Sequence, residues 1–129
     1  VDIIGIGSGP FDRLAELGLP VRPCNVGETP SAKDQFLRKR DELWHEARDW
    51  FETRTVSIPE DEALIDELSM VRYGFESSGK RKVESKKEMR QRGQRSPDLA
   101  DAFVMTFMNT KTTQGNTWQE MPYDGRWII

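Results

Sequence analysis

The chain has 129 residues, of which 32% are charged and 36% hydrophobic, with a formal net charge of −3. That is the size of one domain and the balance of a globular protein, not of a disordered chain or a bundle of membrane spans. Cys24 is the single cysteine and His45 the single histidine, which excludes a disulfide, a zinc site built from cysteine pairs and a His-activated nucleophile with a thiol relay; any chemistry must come from carboxylates.

In chain order, Val1 to Ile4 reads as the end of a strand. A domain that opens partway along a strand predicts a longer polypeptide with further strands upstream, and no secretory leader pattern is visible. Gly5 to Pro10 is a glycine-rich turn into a helix over Phe11 to Leu17, stopped by Gly18. Val21 to Val26 is a short strand weakened by Pro23. A long helix is predicted over Ala32 to Thr53, because Phe36, Leu43, Trp44, Ala47, Trp50 and Phe51 recur on one face with charges opposite. His45 lies mid-helix and is read as a surface or packing residue.

Pro59 to Glu62 opens a further helix through Leu64, Ile65 and Leu68, with acids in the first turn where the helix dipole favours them. Met70 to Phe75 alternates, Ser77-Ser78-Gly79 turns and Lys80 to Glu84 returns, a hairpin signal. Lys86 to Arg92 is a short basic helix ended by Gly93, and Ser96-Pro97 starts the last helix. The segment after Thr110 is polar, with an aromatic tail ending Trp127-Ile128-Ile129. This order of elements favours an α/β architecture, a sheet flanked by helices.

Three constellations carry possible chemistry. Asp98 and Asp101 lie three residues apart at the head of the last helix. Asp98 suits an ordinary helix start behind a Ser96 cap. Asp101 sits among Ala100, Ala102, Phe103 and Val104 on a helix expected to be buried over most of its circumference, and a buried carboxylate needs a cation, either a metal or an arginine. Asp2, at a strand end followed by glycines, is placed to project into the crevice beyond the strand or to face solvent. Between residues 80 and 95, Lys80, Arg81, Lys82, Lys86, Lys87, Arg90, Arg92 and Arg95 face only Glu84 and Glu88, a basic strip suited to a polyanion. Acids that hold divalent cations beside such a strip make a coherent nuclease site, with magnesium or manganese as the hard cation. The turn Gly5-x-Gly7 with Glu28 downstream also resembles part of a dinucleotide fingerprint, but Pro10 occupies the third glycine position and repeated βαβ units are missing.

Taken together, several blocks resemble the C-terminal nuclease domain of tailed-phage large terminase subunits. They are Val1-Asp2-Ile3-Ile4-Gly5-Ile6-Gly7-Ser8-Gly9-Pro10-Phe11-Asp12-Arg13-Leu14, the Phe36 to Trp44 segment, Leu64-Ile65-x-Glu67-Leu68, Glu84-Ser85-Lys86-Lys87-Glu88-Met89 and Ser96 to Ala102. The resemblance implies a ribonuclease-H-like mixed sheet flanked by helices, here without its first strands. It also implies an acidic cluster that binds two divalent metals and cuts concatemeric double-stranded viral DNA.

Within that cluster, Asp2 matches the second acid and the Ser96 to Ala102 block the last, Asp101 ahead of Asp98. The family's first acid lies on an earlier strand, so weak or absent cleavage is expected of this stretch alone. No phosphate-loop motif of the packaging motor occurs here. The resemblance therefore implies an upstream ATPase domain in the same polypeptide, with the portal and the small terminase subunit as partners, no membrane, and the host cytoplasm as location. Residues 1–110 are expected to form a partial nuclease domain and 111–129 a tail. A non-catalytic DNA- or portal-docking module that uses only the basic strip is the alternative.

Overall fold

The computed structural model describes residues 1–108; the expected tail, with Trp127, Ile128 and Ile129, lies outside the described residues. A short helical turn, Gly5–Gly7, runs into α1 (Ser8–Glu16). There follow α2 (Lys39–Glu52), α3 (Glu62–Met70), β1 (Tyr73–Phe75), β2 (Arg81–Val83), α4 (Lys86–Gln91) and α5 (Asp98–Met105). Strands β1 and β2 form the expected hairpin, antiparallel with Tyr73 opposite Val83 and Phe75 opposite Arg81. Two isolated bridges are parallel, Phe36 with Arg81 and Asp2 with Cys24, so strand directions are mixed.

The Phe36 bridge corrects the long-helix expectation: α2 starts at Lys39, not Ala32. Arg81 donates its N–H to the Gln35 carbonyl at 2.7 Å, and Leu37 donates back to the Arg81 carbonyl at 3.2 Å. Pairing on both sides of Phe36 holds residues 35–37 extended along β2, and those sheet hydrogen bonds override helical periodicity. The Arg38 N–H then goes to the Asp41 carboxylate at 2.8 Å, which closes the first turn of α2.

Cys24, Leu43, Ala47 and Val104 form the buried core, with Trp44, Phe103 and Phe107 packed on it. Trp50, Phe51, Phe103 and Phe107 join α2 to α5 through ring contacts of 5.1 to 6.0 Å, within the range where aromatic pairs attract. The charged side of α2 is covered in its first half and solvated only toward its end, at Arg48, Asp49 and Glu52. Lys39, Asp41, Glu42 and His45 are all buried, because the 27–37 segment and the hairpin cover them.

Each of these buried polar groups is an anchor. Glu42 accepts from the Ser31 and Ala32 N–H groups at 2.9 and 3.0 Å and from Lys39 Nζ at 2.8 Å. The Asp41 Oδ1 atom accepts the Val83 N–H at 2.8 Å. His45 Nδ1 donates to the Asp41 carbonyl at 2.8 Å, which assigns the proton to Nδ1 because a carbonyl only accepts. Its ring packs against Phe36 and Tyr73, so His45 is a packing residue.

Candidate functional site

Helix α5 is positioned by a cap from another helix. Ser96 does not cap it; its hydroxyl donates to Asp98 Oδ1 at 2.7 Å. Glu67 of α3, buried, accepts the N–H groups of Leu99 and Ala100 through Oε2 at 2.7 and 3.1 Å. Since the first N–H groups of a helix lack internal partners, this carboxylate both caps α5 and fixes it to α3. We expect Glu67→Ala to lower the unfolding free energy by about 1–3 kcal/mol, the cost of leaving such donors unsatisfied, as read by urea denaturation.

The helix is less buried than expected. Ala100 and Val104 are buried, but Leu99 is 45% exposed and Ala102 faces solvent. Asp101 is nonetheless mostly enclosed, its side chain 15% exposed. Its Oδ1 accepts from Arg40 Nε at 3.1 Å and Trp44 Nε1 at 3.1 Å, and Arg40 Nη2 lies 2.9 Å from the same oxygen. Arg40 Nη1 donates to the Glu84 carbonyl at 3.0 Å, which ties α2 and α5 to the link between β2 and α4. The nearest cation to Asp101 is thus an arginine from α2, with Lys86 of the basic strip at its other oxygen.

The remaining oxygen, Asp101 Oδ2, lies 3.5 Å from Lys86 Nζ, and Asp98 Oδ1 lies 2.8 Å from the same ammonium. One positive group therefore sits between the two carboxylates. Hydrogen bonds from Lys86 and then Ser96 hold the Asp98 carboxyl below its usual range. Burial pushes the Lys86 ammonium down, but Asp98 and Asp101 outweigh it and leave the net shift upward.

Asp2 stands on the bridge to Cys24, which shares the buried core with Val104 of α5. Asp2 Oδ1 accepts the Ile4 N–H at 2.9 Å, and a Cβ on Gly7 would overlap the Asp2 carbonyl oxygen. Gly7 is required for that close backbone approach, which accounts for the glycine without a dinucleotide. Among the described residues, no three His, Cys, Asp or Glu side chains form a group able to hold a metal, so Asp2 is not brought together with Asp98 and Asp101 in that way. The oxygen donors of Asp98 and Asp101 suit a hard cation, and Lys86 shows that positive charge is stable between them. Oδ1 of Asp101, in contact with three donor nitrogens, has no room for an ion.

The basic strip is largely neutralised by its own surroundings. Lys82 pairs with Glu76 and Glu88, Arg92 with Glu84, and Arg95 Nε lies 3.9 Å from Glu67. Arg92 holds the Glu84 carboxyl below its usual range and is a structural clasp. The Arg81 guanidinium lies over the Phe36 ring at 5.6 Å. Lys80, Lys87 and Arg90 form no ion pair among the described residues. Arg40, Trp44 and Glu67 are the residues that sequence reasoning missed. Arg40 and Trp44 stand four apart and so share a helix face, but nothing local says that this face meets Asp101.

No family model matches the sequence, and no curated protein matches it either. Solved structures do. One is a lysine-to-alanine variant of the nuclease domain of the large terminase subunit gp2 of bacterial virus Sf6, with manganese. It is 25% identical and superposes with a TM-score of 0.65 over 81% of this chain and 62% of that one. The chain has the fold of a large-terminase nuclease domain. The unsubstituted Sf6 nuclease domain agrees, at 25% identity and a TM-score of 0.64 over 81% of this chain and 61% of that one. So does a calcium-containing form from the same phage, at 24% identity with the same TM-score and coverage. The architecture is therefore ribonuclease-H-like, as the resemblance implied. The chain spans about 62% of the length of the first of these structures. Among the described residues no helix is long and apolar enough to cross a membrane.

Proposed function

We propose that this chain is part of the metal-dependent endonuclease domain of a phage DNA-packaging terminase, acting on concatemeric double-stranded viral DNA. The observation that carries the reading is the structural match to the Sf6 terminase nuclease domain across 81% of the chain. Asp98 and Asp101 supply carboxylates to a magnesium or manganese site; Asp2, the further acid that the resemblance implies, would have to be drawn to them by the ion, since the three form no metal-holding group among the described residues. When bound, such an ion activates the attacking water and stabilises the leaving oxygen of the phosphodiester. Arg40 and Trp44 orient Asp101, and Lys86 supplies positive charge between the acids. The exposed cations Lys87 and Arg90, with Lys80, bear on the DNA backbone. The upstream ATPase of the same polypeptide, the portal and the small subunit are the partners this reading implies, in the host cytoplasm.

Nicking of supercoiled plasmid by the natural protein tests the proposal. Nicking is expected to rise with manganese and to vanish in EDTA. Duplex binding without any metal-dependent nicking would favour the docking module instead.

A further inference from the structure

Between the start of α2, strand β2 and the start of α4 lies a cavity of about 200 Å3, lined by Arg38, Arg40, Lys82 and Lys86 together with Asp41. That volume is room for about six or seven waters at roughly 30 Å3 each. Four of the lining side chains are cationic. The single acid is committed elsewhere, since Asp41 accepts the N–H groups of Val83 and Arg38 at 2.8 Å each. The backbone of the first turn of α2 is also satisfied, with Lys39 and Arg40 donating to the Glu28 and Val26 carbonyls at 2.9 and 3.0 Å. The cationic groups that line the cavity are therefore side chains and not the helix end, and among the described residues Arg38 is the one of them without an ion pair.

Three of these cations have capacity left. Arg38 is exposed and forms no ion pair among the described residues. Lys82 reaches Glu76 and Glu88 only at 3.3 and 3.4 Å. The buried Nη2 of Arg40 makes no hydrogen bond; its 2.9 Å approach to Asp101 is an ion pair without hydrogen-bond alignment. Arg40 and Lys86 line the cavity and also contact Asp101, so an anion here would share two cations with the acidic pair.

We propose that this cavity seats one phosphate of a DNA backbone, held by Arg38 and Lys82, beside the Asp98 and Asp101 carboxylates. The choice of DNA as the source of the phosphate rests on the nuclease reading. A guanidinium presents two parallel N–H groups to a phosphate, and a planar fork of that kind positions the strand without reading its sequence. Arg38 lies outside the basic strip in sequence, because it precedes α2 and is brought to β2 by the Phe36 bridge and by Asp41.

The test is duplex binding by the natural protein in EDTA, followed by fluorescence anisotropy across a salt series. For Arg38→Ala the slope of log affinity against log salt should fall in magnitude by about one, the signature of one lost phosphate contact. Arg38→Lys should keep the slope, and Arg22→Ala, outside the cavity, should leave it unchanged. A wild-type slope for Arg38→Ala, an equal fall for Arg22→Ala, or binding of inorganic phosphate without binding of duplex would each overturn the proposal. Because no metal is present, this outcome is separate from cleavage. Arg38-dependent binding without manganese-dependent nicking would sink the nuclease reading and leave the phosphate seat standing.

Discussion

Glu42→Ala is expected to lower the unfolding free energy by about 3–5 kcal/mol, the cost of breaking a buried charge pair by removing one partner. Glu42 is fully buried and holds three donors, the Ser31 and Ala32 N–H groups and Lys39 Nζ. Without it, the Lys39 ammonium keeps only the Ser31 hydroxyl at 3.1 Å, and two backbone donors lose their acceptor. A loss of that size is a large part of the 5–15 kcal/mol typical of a domain. The 29–37 segment should loosen first, since Glu42 is what pins it to α2. Urea denaturation gives the magnitude, and amide exchange at Ser31 and Ala32 gives the location.

The same residue sets a pH dependence. Burial pushes the Glu42 carboxyl up, but the Lys39 ammonium and the two N–H groups outweigh it and leave its value lowered. A carboxyl that is depressed in the folded state stabilises the fold above its unfolded value, about 4.3, and that contribution disappears as pH falls through the folded value. Wild type should therefore lose stability on acidification below about pH 4, while Glu42→Ala, which never had this contribution, should show a shallower decline. Parallel acid-denaturation profiles of the two would count against the assignment.

The second large effect concerns Asp101. Asp101→Asn keeps an oxygen where Oδ1 meets Arg40 and Trp44 but removes the negative charge. If the carboxylate contributes to a metal site, manganese-dependent nicking should fall by at least about 100-fold, more than the loss typical of groups behind a metal's ligands. Asp101→Ala also removes the partner of a mostly enclosed guanidinium, and should cost about 2–4 kcal/mol in stability after discounting for residual exposure. Nicking lost in the Asn variant with stability nearly retained identifies a role in chemistry. Full nicking by Asp101→Asn, beside a destabilised Asp101→Ala, would make Asp101 a structural clasp of Arg40 and no more.

Where a few neighbouring residues determine the backbone, elements were legible from the chain. Asp61 accepts the N–H groups of Ala63 and Leu64 and so starts α3. Ser85 and Glu88 cap α4 reciprocally, and hydrogen bonds from Ser85 hold the Glu88 carboxyl at about 2. Gly93 ends that helix with φ 77°, a conformation glycine adopts without a Cβ penalty. The register of Asp41 was not legible in this way. As a charged residue on an amphipathic helix it reads as solvated, yet it is 3% exposed, because its acceptors are used by Arg38 on one side and β2 on the other.

The candidate site divides along the same line. Which residues carry charge, that carboxylates must do any chemistry here, and that an enclosed Asp101 needs a cation follow from the chain itself, since they depend on residue type; the enclosure is made by Arg40 and Trp44 of α2. Which cation meets Asp101, which carboxylate caps α5 and how the basic strip is neutralised were decided only in three dimensions. Arg40 lies 61 residues from Asp101 and Glu67 lies 32 from Leu99. Local periodicity orients a face but does not select the face it meets; that choice falls to the packing of α2 and α3 on α5, where a buried charge is stable only beside the partner that the fold delivers.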